Sequence, residues 1–287
     1  MRYITIFTFF MACLIIFACS PKITATADNV TSYPETALAW KLSAQAYTFK
    51  KFTFAEAVSK VDSCKLRYIE GYPAQLLGGG LQGALDFKMD AEQRSRVLNI
   101  LKAKNVKLIA YGVVRPANDT EWRQLFTFAK NMGIQTLVTE PQKQYLDLIS
   151  ALCDEFKIGV VIHNHAKPAP YWHPDSVLAV VKGRSKLFGA CADVGHWVRS
   201  GLNPVACLKK LDGRVMHLHM KDLNKKNAMD AHDVHWGTGL TDIPGVIAEL
   251  KRQQFKGVIS AEFEYNWLSN SADVAASIAW FRKNLNQ

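Results

Sequence analysis

Five consecutive β-rich runs in the second half of the chain end in side chains that bind metal ions or carry protons. They close with Glu140, with His163-Asn164-His165, with Asp193, with His217-Leu218-His219-Met220-Lys221-Asp222 and with Glu262-Phe263-Glu264. Carboxylates and imidazoles in one shell suit Mn²⁺, Zn²⁺, Co²⁺ or Fe²⁺ better than Ca²⁺, which takes oxygen ligands alone. Such an ion can clamp a carbonyl and an adjacent hydroxyl and stabilise the enediolate left when a carbon-bound proton is removed. A carboxylate or imidazole of tuned pKa then moves the proton.

These residues meet only if the strands run parallel with their C-terminal ends together. β-Rich runs at 38–43, 66–70, 106–111, 135–140, 158–163, 187–193, 215–221 and 258–264 alternate with amphipathic stretches, as parallel βα units require. Trp122, Leu125, Phe126 and Ala129 fall at i, i+3, i+4 and i+7, as do Ile243, Val246, Ile247 and Leu250, each marking one apolar helix face. Asp90, Thr120 and Asp273 stand where helix N-caps are expected, and Pro204 suits a first turn. Eight βα units without a break, and no Gly-x-Gly-x-x-Gly after the first run, point to a single closed (β/α)8 TIM barrel over residues 37–287. Its active site belongs at the C-terminal strand ends. Side chains alternate in and out along a strand, so His217 and His219 share a face, as do Glu262 and Glu264, and parity alone does not separate them.

Four motifs then carry a resemblance: Asp193-Val194-Gly195-His196, His219-Met220-Lys221-Asp222, Gly237-Thr238-Gly239 and Glu262-Phe263-Glu264. In this order, and in register with the sixth to eighth strands, they resemble signatures of the xylose isomerase-like sugar isomerase/epimerase superfamily. The resemblance runs from about Leu38 to the C-terminus. It implies a TIM barrel binding one divalent metal, Mn²⁺ first and Zn²⁺, Co²⁺ or Fe²⁺ after it, with Asp193, His219 and Glu262 as ligands and His196 at the substrate. Where many relatives close the fifth strand with a glutamate, this chain has His163. Glu140 is therefore the expected further ligand, with His163 as its alternative. Glu140 is also the preferred proton-transferring base, with Glu262 as its partner on the opposite face.

The surrounding residues admit two readings each. His165 and Lys221 are expected to contact substrate, although Lys221 with Asp222 also reads as a rim salt bridge. Gly237 and Gly239 supply turns or cradle a phosphate. Trp172, Trp197, Trp236 and Trp267 fall just beyond strand ends, where an aromatic face stacks on a sugar ring or packs the rim; Trp197 and Trp236 are the expected substrate contacts.

Arg2 followed by an apolar run from Ile4 to Phe17 reads as a signal peptide over residues 1–18, too short for the roughly 20 residues of a spanning helix. Ile16-Phe17-Ala18-Cys19 resembles a lipobox, so Cys19 is expected to carry the lipid of a protein facing the periplasm of a Gram-negative bacterium, plain periplasmic secretion being the alternative. Residues 19–36 are the tether. With 287 residues and 49% apolar composition the rest can bury one large core. Cys64, Cys153, Cys191 and Cys207 sit in apolar segments at neither paired nor zinc-finger spacing, which predicts buried thiols. The net charge of +10 comes from scattered Lys and Arg, which argues against a nucleic-acid partner. The membrane is then reached only through the N-terminal lipid, the partner is a small-molecule sugar, and the oligomeric state stays open. The leading expectation is a sugar isomerase or epimerase; a dehydratase or lyase acting on a 3-keto-glycoside by β-elimination and a non-catalytic sugar-binding lipoprotein are the alternatives.

Overall fold

The computed structural model describes residues 1, 3 and 33–285. Apart from residues 1 and 3, the expected signal peptide lies outside the described residues, as do Cys19 and most of the tether. A 3-10 turn, Pro34–Leu38, precedes the first strand; its buried Glu35 pairs with Arg282 at 2.8 Å. Elements then follow as β1 (Lys41–Gln45), α1 (Phe54–Ser63), β2 (Tyr68–Gly71), β3 (Leu76–Gly78), β4 (Leu81–Ala84), α2 (Ala91–Ala103), β5 (Lys107–Val114) and α3 (Asp119–Met132). The second half comprises β6 (Thr136–Thr139), α4 (Leu146–Phe156), β7 (Gly159–His163), α5 (Pro174–Val181), β8 (Phe188–Asp193), α6 (Val194–Arg199), α7 (Pro204–Lys210), β9 (Val215–Met220), α8 (Ile243–Arg252), β10 (Val258–Ala261) and α9 (Ser271–Asn284).

The sheet closes in the order β1-β2-β5-β6-β7-β8-β9-β10, all parallel, with β10 returning to β1 through Lys41↔Val258 and Ala44↔Ala261. All eight expected strands are therefore the barrel. Strands such as Gly159-Val160-Val161-Ile162-His163 are buried at every position because side chains inside and helices outside cover both faces. The α3 stripe Trp122, Leu125, Phe126 and Ala129 is buried against the sheet, as is the α8 stripe Ile243, Val246, Ile247 and Leu250. Asp90 caps α2 and Pro204 opens α7 as expected, whereas Asn118 rather than Thr120 caps α3, and Asp273 lies within the first turn of α9. The four cysteines of the barrel are buried free thiols. Among the described residues no helix is long and apolar enough to cross a membrane.

Two local differences matter for the site. β6 and β10 end at Thr139 and Ala261, so Glu140, Glu262 and Glu264 lie just past the ladder, where carboxylates can reach cations instead of continuing the sheet. The hairpin β3-β4 after β2 was not expected; it turns through Gly78, Gly79 and Gly80, all at positive φ, and a Cβ on Gly78 would lie 2.3 Å from Thr53 Oγ1.

Candidate metal centre and substrate cavity

Asp193 ends β8 and caps α6: its Oδ1 accepts the His196 N–H at 2.7 Å. Asn164, directly after β7, clamps the Asp193 backbone, donating to its carbonyl and accepting from its N–H, both at 2.9 Å. That leaves Asp193 Oδ2 facing His163 Nε2 at 3.5 Å and His219 Nδ1 at 3.8 Å. Glu262 Oε2 lies 3.0 Å from the same His219 Nδ1. His163, Asp193, His219 and Glu262 thus each present one ligand atom, all within 4.8 Å of one another and all buried. Both nitrogens of His163, Asp193 Oδ2 and His219 Nδ1 lack a partner in hydrogen-bonding geometry. Buried polar atoms are almost always satisfied, so His163 Nε2, Asp193 Oδ2 and His219 Nδ1, orphaned and grouped with the Glu262 carboxylate, fit a divalent ion. Asp193, His219 and Glu262, the expected ligands, are thus brought together with His163, while His217 and Glu264 stand outside this group.

Glu140 stands outside this group. It opens the loop after β6 and turns to the mouth, contacting Arg115 Nη2 and His165 Nδ1 and lying 3.5 Å from His163 Nδ1. Among ligand atoms within 4.8 Å of one another, Asp193, His219 and Glu262 are joined by His163, whereas Glu140 groups with His163 and His165. Burial alone would raise the Glu140 carboxyl, but the nearby His163 and His165 rings and the Arg115 guanidinium hold it well below the usual carboxylate range.

Lys221 is no rim residue. Its ammonium has no exposed surface and sits 3.2 Å from Asp193 Oδ2, 2.9 Å from Glu262 Oε2 and 3.1 Å from Glu264 Oε2. Burial alone would raise the Asp193 carboxyl; the charges of His196 and Lys221 outweigh it and hold it well below its ordinary value. Burial depresses His196 well below the usual imidazole range, with Lys221 adding to the effect against Asp193.

A cavity of about 400 Å³ opens above these residues, lined by His163, His165, His196, Glu262 and Glu264 on one side and Gln45, Tyr47, Tyr72 and Arg115 on the other. Tyr47 and Tyr72 meet edge to face at 5.3 Å, and Trp267 adjoins Tyr47 at 5.7 Å with Lys50 3.6 Å above its ring. The aromatic wall is thus built from Tyr47 and Tyr72, which follow β1 and β2. Trp197 and Trp236 correct the expected wall: both are fully buried, Trp236 against Phe281 at 5.8 Å, and neither lines the cavity.

One further residue, Glu70, went unread, and Asp222, expected beside Lys221 at the rim, holds a loop instead. Glu70 near the end of β2 is completely buried and accepts from His217 Nε2 at 2.8 Å, His219 Nε2 at 3.0 Å and Ser260 Oγ at 2.7 Å. Its signal was a charged residue closing an apolar strand, the same feature that marked strands four to eight. Asp222 accepts the backbone N–H groups of Gly237, Gly239 and Thr241 at 2.8, 2.9 and 2.9 Å. Those amides are spent on Asp222, so the Gly-x-Gly loop is a turn and not a phosphate cradle; a Cβ on Gly239 would lie 2.3 Å from Asp222 Oδ1.

Residues 66–284 match the model of the family described as xylose isomerase-like TIM barrel. No curated protein matches the chain. Among solved structures, an uncharacterised protein from Parabacteroides distasonis ATCC 8503 is 33% identical, with 85% of this chain and 99% of that chain covered at a TM-score of 0.70. A D-tagatose 3-epimerase-like protein is 18% identical over 86% of this chain and 97% of its own, with a TM-score of 0.65. The IOLI protein, solved with a bound zinc atom, is 16% identical over 86% and 98% at a TM-score of 0.68. The last two likenesses speak for the fold alone.

Proposed function

The chain belongs to the xylose isomerase-like TIM barrel family, and from that premise we propose that it is a divalent-metal-dependent sugar isomerase or epimerase working by proton transfer beside a carbonyl. The observation that carries the reading is the convergence of His163, Asp193, His219 and Glu262 at the floor of an open cavity, with His163 Nε2, Asp193 Oδ2 and His219 Nδ1 left without hydrogen-bond partners. These four residues would hold the ion, Mn²⁺ being our first candidate ahead of Zn²⁺, Co²⁺ and Fe²⁺, and a bound ion supplies Lewis-acid polarisation of a sugar carbonyl and hydroxyl. A zinc atom in the IOLI protein is consistent with that class of ion.

The chain's own groups supply the rest. Glu262 lines the cavity and is held by Lys221, so its carboxylate is fixed where a carbon acid would enter. His165 is engaged through Nδ1 by Glu140, which leaves Nε2 as the ring nitrogen able to exchange a proton with substrate. Glu140 thus acts through His165, and Glu262 and His165 form the proton-carrying pair. Tyr47 and Tyr72 offer aromatic surface to the apolar face of a sugar ring. With no cradle at Gly237 and Gly239, a free sugar suits the cavity better than a sugar phosphate. We further propose that the enzyme works outside the cytoplasm, lipid-anchored through Cys19; mass spectrometry of the mature protein tests this, an unmodified Cys19 refuting it.

The test of the activity is metal analysis of the purified protein together with solvent deuterium exchange into ketoses and 3-keto-glycosides. Bound metal with deuterium at the carbon beside the carbonyl, and no fragment released, supports an isomerase or epimerase. Release of an aglycone assigns a lyase instead, and bound metal without exchange reduces the protein to sugar binding.

A further inference from the structure

Behind the group of four, on the side away from the cavity, Glu70 is enclosed with no exposed surface. Among the described residues no Lys or Arg pairs with it; its ion-pair partners are His217 and His219. We propose that Glu70 is a positioning residue of the metal centre, which orients His219 and selects the tautomer whose Nδ1 lone pair is free for an ion held with Asp193 and Glu262. The inference rests on the metal-dependent reading given above.

An ionised carboxylate only accepts hydrogen bonds, so each nitrogen beside it must carry a proton. His219 Nε2 lies 3.0 Å from both Glu70 oxygens and His217 Nε2 lies 2.8 Å from Oε2, so both rings hold their proton at Nε2. A neutral imidazole protonated at Nε2 has its lone pair at Nδ1. In His219 that atom is 3.0 Å from Glu262 Oε2 and 3.8 Å from Asp193 Oδ2, inside the group of four. Ser260 Oγ, 2.7 Å from Glu70 Oε2, anchors the carboxylate from β10, and Ser260 pairs with His219 in the sheet register. Three donors from two strands therefore fix one carboxylate, and the carboxylate fixes one ring. The Glu70 charge also makes the His219 ring more basic, the effect by which partners of ligating imidazoles usually tune metal affinity.

Two measurements test this. Metal-free wild type and Glu70→Gln are titrated with Mn²⁺ and with Zn²⁺ by calorimetry, with unfolding of both metal-free proteins as a check on the fold. A glutamine presents an amide N–H₂ that competes with the Nε2–H of either ring, so metal affinity is expected to fall roughly 10- to 100-fold. Equal affinity in a folded Glu70→Gln protein overturns the inference alone, while a wild type that binds neither ion overturns the metal reading as well. Should Glu70→Gln fail to fold, ¹⁵N NMR of zinc-loaded wild type decides: His219 protonated at Nε2 and zinc-bound at Nδ1 is expected, and zinc at Nε2 overturns the proposal.

Discussion

Lys221 lies between Asp193 and Glu262, its ammonium 3.2 Å from one carboxylate and 2.9 Å from the other, with no path to solvent. Lysine at such depth persists only where anions compensate it, and here Glu264 at 3.1 Å supplies a third. Replacing it by methionine keeps the volume and removes the charge, stranding three carboxylates around an apolar chain. Lys221→Met should cost about 3–5 kcal/mol in metal-free protein, the usual penalty for breaking a buried pair. Denaturant unfolding with and without Mn²⁺ checks this, and a divalent ion should recover part of the loss. A variant as stable as wild type would mean that the carboxylates take up protons at little cost.

Ligands and proton carriers separate by mutation. Asp193→Ala, His219→Ala and His163→Ala each remove one of four donors, so bound metal and activity should fall together in metal analysis and turnover. Glu140→Gln removes the ionised partner of His165 but none of the four donors, so metal should stay while turnover drops roughly 10²-fold, the lower range for a lost acid–base function. Near-normal turnover in Glu140→Gln would assign proton transfer to Glu262 alone.

Asp222 holds the loop that follows β9 by accepting three backbone N–H groups. Asp222→Ala strands those donors, and with charged hydrogen bonds worth about 1.5–3 kcal/mol each, a loss of at least about 3 kcal/mol is expected. Hydrogen exchange at Gly237, Gly239 and Thr241 should accelerate at the same time. Protected amides in the variant would show that the loop is held by other contacts.

Asp233 gives stability a pH dependence. Burial, aided by Glu264 and opposed by Lys221 and Arg199, pushes its carboxyl up to about 7, against about 3.9 in an unfolded chain. An acid whose folded pKa is raised favours the fold while protonated, so its contribution is complete below about pH 4 and is lost as pH rises to about 7. Asp233→Asn cannot ionise and can still accept the Glu264 N–H, which Asp233 Oδ2 receives at 3.0 Å. The variant should therefore gain stability relative to wild type between about pH 4 and 7, by at most about 4 kcal/mol, and hold a constant difference above. Melting curves of both proteins across that range measure it; parallel curves would place the Asp233 carboxyl at an ordinary value.

The barrel was legible in sequence because its strands and helices advertise themselves locally. β7 and β8 are apolar through nearly their whole length since both faces are covered, and the α3 and α8 stripes repeat at helical spacing. Asp193, His219 and Glu262 were legible for the same reason: each closes or directly follows a strand, and all strand ends of a parallel barrel share one rim. Period two gives the face a side chain takes but not its depth, and depth decided the rest. The placement of Glu140 turned on where β6 stops and on Arg115, which lies in the preceding βα unit. Lys221 reads as a rim residue in sequence and becomes a buried cation only when three carboxylates from β8 and the end of β10 surround it. Trp197 and Trp236 follow strand ends in sequence yet fold back into the core. Glu70 lies 147 and 149 residues from the two histidines it binds, and no local pattern relates them. Only closure of the barrel, which sets the stagger of β2 against β9 and β10 across its interior, brings that carboxylate beneath His219.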